Sequence, residues 1–144
     1  LANNMRSASK VYAVDPAMFG AFSPASALDQ GQRLETAVFN ALRRRTPAVR
    51  VGSVCRLLIK EKSKNHEVDF VAGDALLMRA YSLIQVSVDM ASEKTREREI
   101  AALDASMAQF DLGESAIVTM DEQADIPCEH GVVHVVPAWK WLLA

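Results

Sequence analysis

The sequence predicts an α/β domain with a mixed central sheet flanked by helices, in the order helix, three strands, helix, two strands. Three observations carry this. Apolar residues recur at helical spacing in two stretches, one around Leu34 and one around Leu103. Between them lie three β-rich runs, the last nearly continuous in Leu, Ile and Val, as a strand buried on both faces requires. Two short apolar runs and a closing aromatic turn follow the second helix.

The elements follow in chain order. The start reads as strand, turn and loop: Val11-Tyr12-Ala13-Val14, then Asp15-Pro16, Gly20 and Ser23-Pro24. A helix is expected from Ala27 to Arg45, carried by Leu28, Leu34, Val38, Phe39, Ala41 and Leu42 and closed by Pro47. Val49 to Lys60 reads as a strand ending in a charged turn, Lys60 to Asn65. His66 to Ala72 reads as a short strand turning at Gly73-Asp74, and the run Leu76 to Met90 as a longer one with its centre from Tyr81 to Asp89. Ser92 is placed to cap the second helix, whose Ile100, Leu103, Met107 and Phe110 fall on one face, and Gly113 is expected to end it. Ala116 to Met120 and Val132 to Val136 read as strands. Pro137, at an N1-like position, opens a last turn from Ala138 to Leu143.

Composition bounds the function classes. A chain of 144 residues is long enough for one domain with a real core, here residues 1–144. A net charge of −2 excludes a surface that is basic overall, while leaving room for a local basic patch. No apolar run approaches the roughly 20 residues of a membrane span, and the first residues lack a signal-peptide apolar region. Two cysteines, Cys55 and Cys128, make no disulfide framework, so a reducing cytoplasm is expected.

Three groups of polar residues stand inside this apolar frame. Glu35 lies near the apolar stripe of the first helix, where a carboxylate needs a partner, a metal or water. Paired with Arg33 or another base it is simply a stripe-edge residue. In the strand Glu67-Val68-Asp69-Phe70, alternation puts Glu67 and Asp69 on one face and His66, Val68 and Phe70 on the other. An edge strand with a solvated face is the plainer account of two acids there. In Leu83-Ile84-Gln85-Val86-Ser87-Val88-Asp89, the residues Gln85, Ser87 and Asp89 share one face and demand hydrogen-bond partners or a wet cleft.

This order of a helical Glu, Glu-Val-Asp-Phe on a hairpin, and a polar-x-polar strand before a helix resembles the PD-(D/E)XK nuclease superfamily. A more specific resemblance runs over nearly the whole chain. The blocks Lys10–Asp15, Arg33–Phe39, Glu67–Phe70, Ile84–Ser87, Thr95–Ile100 and Val136–Leu143 look like successive blocks of the uncharacterised C-terminal domain that follows an AAA-type ATPase domain in many bacterial and archaeal proteins. The resemblance implies a restriction-endonuclease-like core attached to an ATPase. No Gly-x-x-x-x-Gly-Lys-Ser/Thr phosphate loop occurs in this chain. It further implies a degenerate metal-nuclease site: Glu35 matches the helix Glu and Asp69 the strand Asp, with Gln85 and Ser87 standing in place of an acid and a Lys. Glu35, Asp69 and Gln85 would be the ligands of Mg or Mn.

Loss of the acid and of the Lys argues against hydrolysis, because Gln removes one negative metal ligand and Ser supplies no ammonium to stabilise developing phosphate charge. Lys60, Lys62 or Lys64 on the hairpin are the candidate substitutes. Arg43, Arg44 and the same lysines are the candidate phosphate contacts; the plainer reading is a helix C-terminus that suits cations and a charged hairpin tip. The expected function is therefore a non-catalytic domain that binds nucleic acid or couples the ATPase to a partner. The alternatives are a divalent-metal-dependent DNA nuclease and a pure protein-interaction module. Arg96-Glu97-Arg98-Glu99 reads as a solvated helix face, and Trp139 and Trp141 as anchors to the core or a partner. Cys128-Glu129-His130, with His134 beyond, matches no common structural zinc spacing, and a metal is not expected there.

Overall fold

Two clusters of buried side chains lie on opposite faces of one sheet, and the helices that supply them define the layers. The computed structural model describes residues 10–18, 27–45, 54–60, 65–74, 77 and 79–144. Its elements are α1 (Ala27–Arg45), β1 (Val54–Lys60), β2 (Asn65–Asp74), β3 (Arg79–Val86), α2 (Glu93–Phe110), β4 (Glu114–Thr119), β5 (Ala124–Cys128), β6 (Gly131–Pro137) and α3 (Ala138–Leu143). The sheet runs in the order β1-β2-β3-β4-β6-β5. β1, β2 and β3 form an antiparallel meander, β3, β4 and β6 are parallel, and β5 closes the far edge antiparallel to β6. The α/β class with a mixed sheet flanked by helices is thus observed.

On one face α2 packs Ala102, Leu103 and Met107 against Val68, Val71, Leu83, Ile117, Val133 and Val135. On the other, Leu34, Val38 and Leu42 of α1 and Ala138 of α3 pack against Phe70, Ile84 and Val118. The parallel strands alternate between these clusters, with Ile117 in one and Val118 in the other, as strands covered on both faces must. Each large apolar side chain fully buried this way contributes about 1.5–3 kcal/mol. Among the described residues no helix is long and apolar enough to cross a membrane.

Several expectations are corrected. Residues 11–14 form no strand: they join no ladder, Val14 lies in a bend, and Asn40 Nδ2 donates to the carbonyls of Ala13 and Val14 at 3.0 and 2.9 Å. β3 ends at Val86, so Ser87 and Asp89 lie in a bend rather than on the strand. α2 ends on Asp111, which adopts the left-handed conformation (φ 55°, ψ 48°) that Asp tolerates, and Gly113 plays no part in that cap. Ser92 precedes α2 without a side-chain cap bond, and Pro137 is the N-cap of α3 rather than its first residue. The strand β5 was not expected: Pro127 and a single buried-type apolar residue, Ile126, hide it, and an edge position is where a strand tolerates Pro.

Candidate functional site

The site begins with an irregularity in β2. Cys55 of β1 faces Val71, but Leu57 faces Val68, so Arg56 alone stands opposite Asp69 and Phe70. This is a β-bulge, and it breaks the strict alternation expected from sequence. Val68 packs with α2, whereas Phe70 packs with α1 and Asp69 reaches toward Glu35 of the same helix. Asp69 and Phe70 therefore turn successively to the α1 face. Val68 and Phe70 do not share a face, and Glu67 is drawn into an ion pair with Arg56 on the neighbouring strand.

Beyond the pair Phe70–Ile84 the ladder between β2 and β3 stops. Side chains take over from it. Asp69 N–H donates to Gln85 Oε1 at 3.0 Å, and Val86 N–H donates to Asp69 Oδ2 at 3.1 Å. The parted strands open a cleft of about 400 Å³, lined by Glu35, His66, Glu67, Asp69, Gln85 and Glu99 among others.

Lys10 closes the constellation. Its Nζ donates to Glu35 Oε1 at 2.7 Å and to Asp69 Oδ1 at 3.3 Å. Two residues on, Tyr12 Oη donates to the same Glu35 oxygen at 2.7 Å. Tyr12 is held by stacking on Phe39 (centroids 4.1 Å apart, planes at 18°), with Phe70 beneath both rings. The aromatic stack and the Asn40 bonds thus fix a segment in which Lys10 and Tyr12, two residues apart, both reach Glu35.

The electrostatics follow from this packing. Burial pushes the Asp69 carboxyl above its usual range, against the Val86 N–H and Lys10, which favour the charged form, with the neighbouring Glu35 charge adding to the rise. Burial would lower the Lys10 ammonium, but its bonds to Glu35 and Asp69 outweigh that and hold it above 10.5. Burial and the Glu35 carboxylate both push Tyr12 upward, so it stays a donor at neutral pH.

The residues implied by the resemblance divide into two groups. Glu35, Asp69 and Gln85 come together; Ser87 does not, since its Oγ donates to Asp89 O at 2.6 Å within the bend. Glu35 pairs with a base, as the plainer account allowed, and that base is Lys10. Arg43 and Arg44 lie on the exposed last turn of α1. Lys62, Lys64 and the side chain of Lys60 lie outside the described residues. Three participants were not singled out: Lys10, Tyr12 and Glu99. Spacing alone held a signal for the first two, an i, i+2 pair beside the strand-like run Val11 to Val14. Glu99, only 5% exposed, lines the cleft and pairs with Arg98, which overturns the reading of Arg96 to Glu99 as a wholly solvated face.

A divalent cation would compete with protein partners for these oxygens. Both Asp69 oxygens, the Gln85 oxygen and Glu35 Oε1 already accept protein hydrogen bonds. The ammonium of Lys10 lies between the two carboxylates where a cation would balance their charge. With Lys10 in place the donors do not fit a metal. No family model, curated protein or solved structure matches this chain.

Proposed function

We propose that this chain is a PD-(D/E)XK-like domain that hydrolyses no phosphodiester and serves as the C-terminal accessory domain of an AAA-type ATPase, coupling it to a partner. The observation that carries the reading is the Lys10 ammonium spanning Glu35 and Asp69 at 2.7 and 3.3 Å. A buried carboxylate needs a counter-charge, and here the chain supplies its own in place of Mg or Mn. In this reading the former metal cleft is a socket that fastens the segment around Lys10 and Tyr12, the side on which the resemblance puts the ATPase.

Coupling is favoured over nucleic-acid binding by the charges around the cleft. Among the described residues Glu35, Glu67, Asp69 and Glu99 outnumber Lys10, Arg56 and Arg98, and acidic groups so placed repel a polyanion. Arg45, at the end of the basic run, is spent on Trp141, over whose ring it lies at 4.3 Å.

The test is Mn titration by calorimetry paired with plasmid cleavage, on wild type, Lys10→Met and Asp69→Ala. Neither binding nor cleavage is expected in wild type, while Lys10→Met should uncover weak Mn binding that the added Asp69→Ala removes. Metal-dependent cleavage by wild type that Asp69→Ala abolishes would overturn the proposal and make Lys10 the lysine of a working nuclease site.

A further inference from the structure

The two edges of the sheet are finished differently. β5, at one edge, carries Pro127, which has no N–H to offer, and Asp125, whose side chain is exposed. β1, at the other, reads Val-Cys-Arg-Leu-Leu-Ile-Lys and has neither proline nor acid. Arg56, the charge in its middle, is drawn onto Glu67 of β2, and Lys60 stands only at its end. In an antiparallel ladder alternate residues turn N–H and C=O away from the partner strand. Among the described residues no strand takes those groups of β1. Cys55, Arg56 and Leu58 are exposed, the leucine to 47%.

The bulge opposite Arg56 lies in β2, so β1 itself alternates regularly. Leu57 packs with the α2 cluster and Val54 with the α1 cluster. Cys55, Leu57 and Ile59 therefore share the α2 face, and Val54, Arg56 and Leu58 the α1 face. A second copy can add to this edge antiparallel, about a two-fold axis normal to the sheet. One residue of the strand then faces its own copy, and opposed residues lie on the same face. Centred on Arg56, the pairing sets that guanidinium against itself. Centred on Leu58, it opposes Arg56 to Lys60, another cation. Centred on Leu57, it uses all 7 residues: Cys55 meets Ile59, Arg56 meets Leu58 and Val54 meets Lys60. No like charges face one another in that register, and the α2 face gains an unbroken apolar row.

We propose that β1 is a self-association site, where two copies join antiparallel in register about Leu57 into one sheet with six strands from each. Main-chain hydrogen bonds supply the attachment, and the opposed side chains select the register. The occupant is a second copy because the strand matches itself under the two-fold, a condition that binding a foreign strand does not impose. The association makes no use of Lys10, Glu35 or Asp69.

The experiment is sedimentation velocity of the purified chain over a concentration series, on wild type, Leu58→Lys and Leu58→Glu. Wild type is expected to dimerise reversibly. Leu58→Lys sets a like charge opposite Arg56 at two symmetric places and should weaken the dimer about tenfold. Leu58→Glu sets an acid there and should dimerise at least as well as wild type. Fold stability cannot imitate this order, because within one chain Leu58 faces Glu67, which favours the lysine and disfavours the acid. Oxidation tests the register. Ile59→Cys should cross-link two chains through Cys55, and adding Cys55→Ser should abolish the cross-link. In wild type the two Cys55 residues would lie four strand positions apart, about 13 Å, too far for a disulfide. Wild type that stays monomeric to about 1 mM would overturn the proposal and leave the edge to a strand of another protein. Leu58→Lys that dimerises as tightly as Leu58→Glu, or Ile59→Cys that oxidation leaves uncrosslinked, would overturn it too.

Discussion

Gln85 Oε1 accepts the backbone N–H of Asp69 at 3.0 Å, a bond between two side-by-side strands made after their ladder has ended. The amide at this position is therefore structural as it stands: its oxygen completes a backbone donor that the bulge leaves without a strand partner. Replacing it with Leu strands that N–H in a buried setting. Gln85→Leu is expected to cost about 1–3 kcal/mol by urea denaturation. Unchanged stability would show that the bond is dispensable.

Asp69 and Lys10 give a pH signature. Folding raises the Asp69 pKa through burial, so this group stabilises fully below pH 3.8, and the contribution is lost as pH rises through its folded value. Wild type should accordingly gain on Asp69→Asn as the solution is acidified toward pH 3.8. Lys10→Met removes a favourable charge and should push Asp69 higher still, read from the titration of its carboxyl carbon by NMR. An Asp69 that titrates lower in Lys10→Met contradicts the ion pair.

Arg45 holds the last helix. Its guanidinium lies over the Trp141 ring and its Nη2 donates to Trp141 O at 2.7 Å. Because the site is exposed, the expected cost of Arg45→Ala is modest, about 1 kcal/mol in a thermal or urea melt. Arg44→Ala, next to it on the same exposed turn, is expected to change stability by less than about 0.5 kcal/mol.

Gly73 of β2 lies against the backbone of β3. A Cβ there would meet Arg79 O at 2.2 Å and Ala80 Cα at 2.9 Å, both backbone atoms that cannot swing aside. Gly73→Ala should therefore destabilise by about 1–3 kcal/mol or more. A melt indistinguishable from wild type would mean that the hairpin shifts freely.

The sequence by itself determined the class of fold and most of its elements. Helical periodicity placed α1 at its observed bounds, and the apolar run around Ile84 marked the central strand, because a strand or helix buried on one or both faces must carry its pattern locally. Glu35, Asp69 and Gln85 were legible as polar residues out of place in apolar elements. Tertiary structure decided the rest. Alternation assumed a regular β2, and the bulge opposite Arg56, set by pairing with another strand, turned Asp69 and Phe70 to one face. Lys10 meets Glu35 and Asp69 from 25 and 59 residues away, and Asp104 meets His130 from 26, separations at which no local pattern exists. Spacing reveals what one element presents along its own faces; which donors share a cation is settled only when packing brings separate elements together.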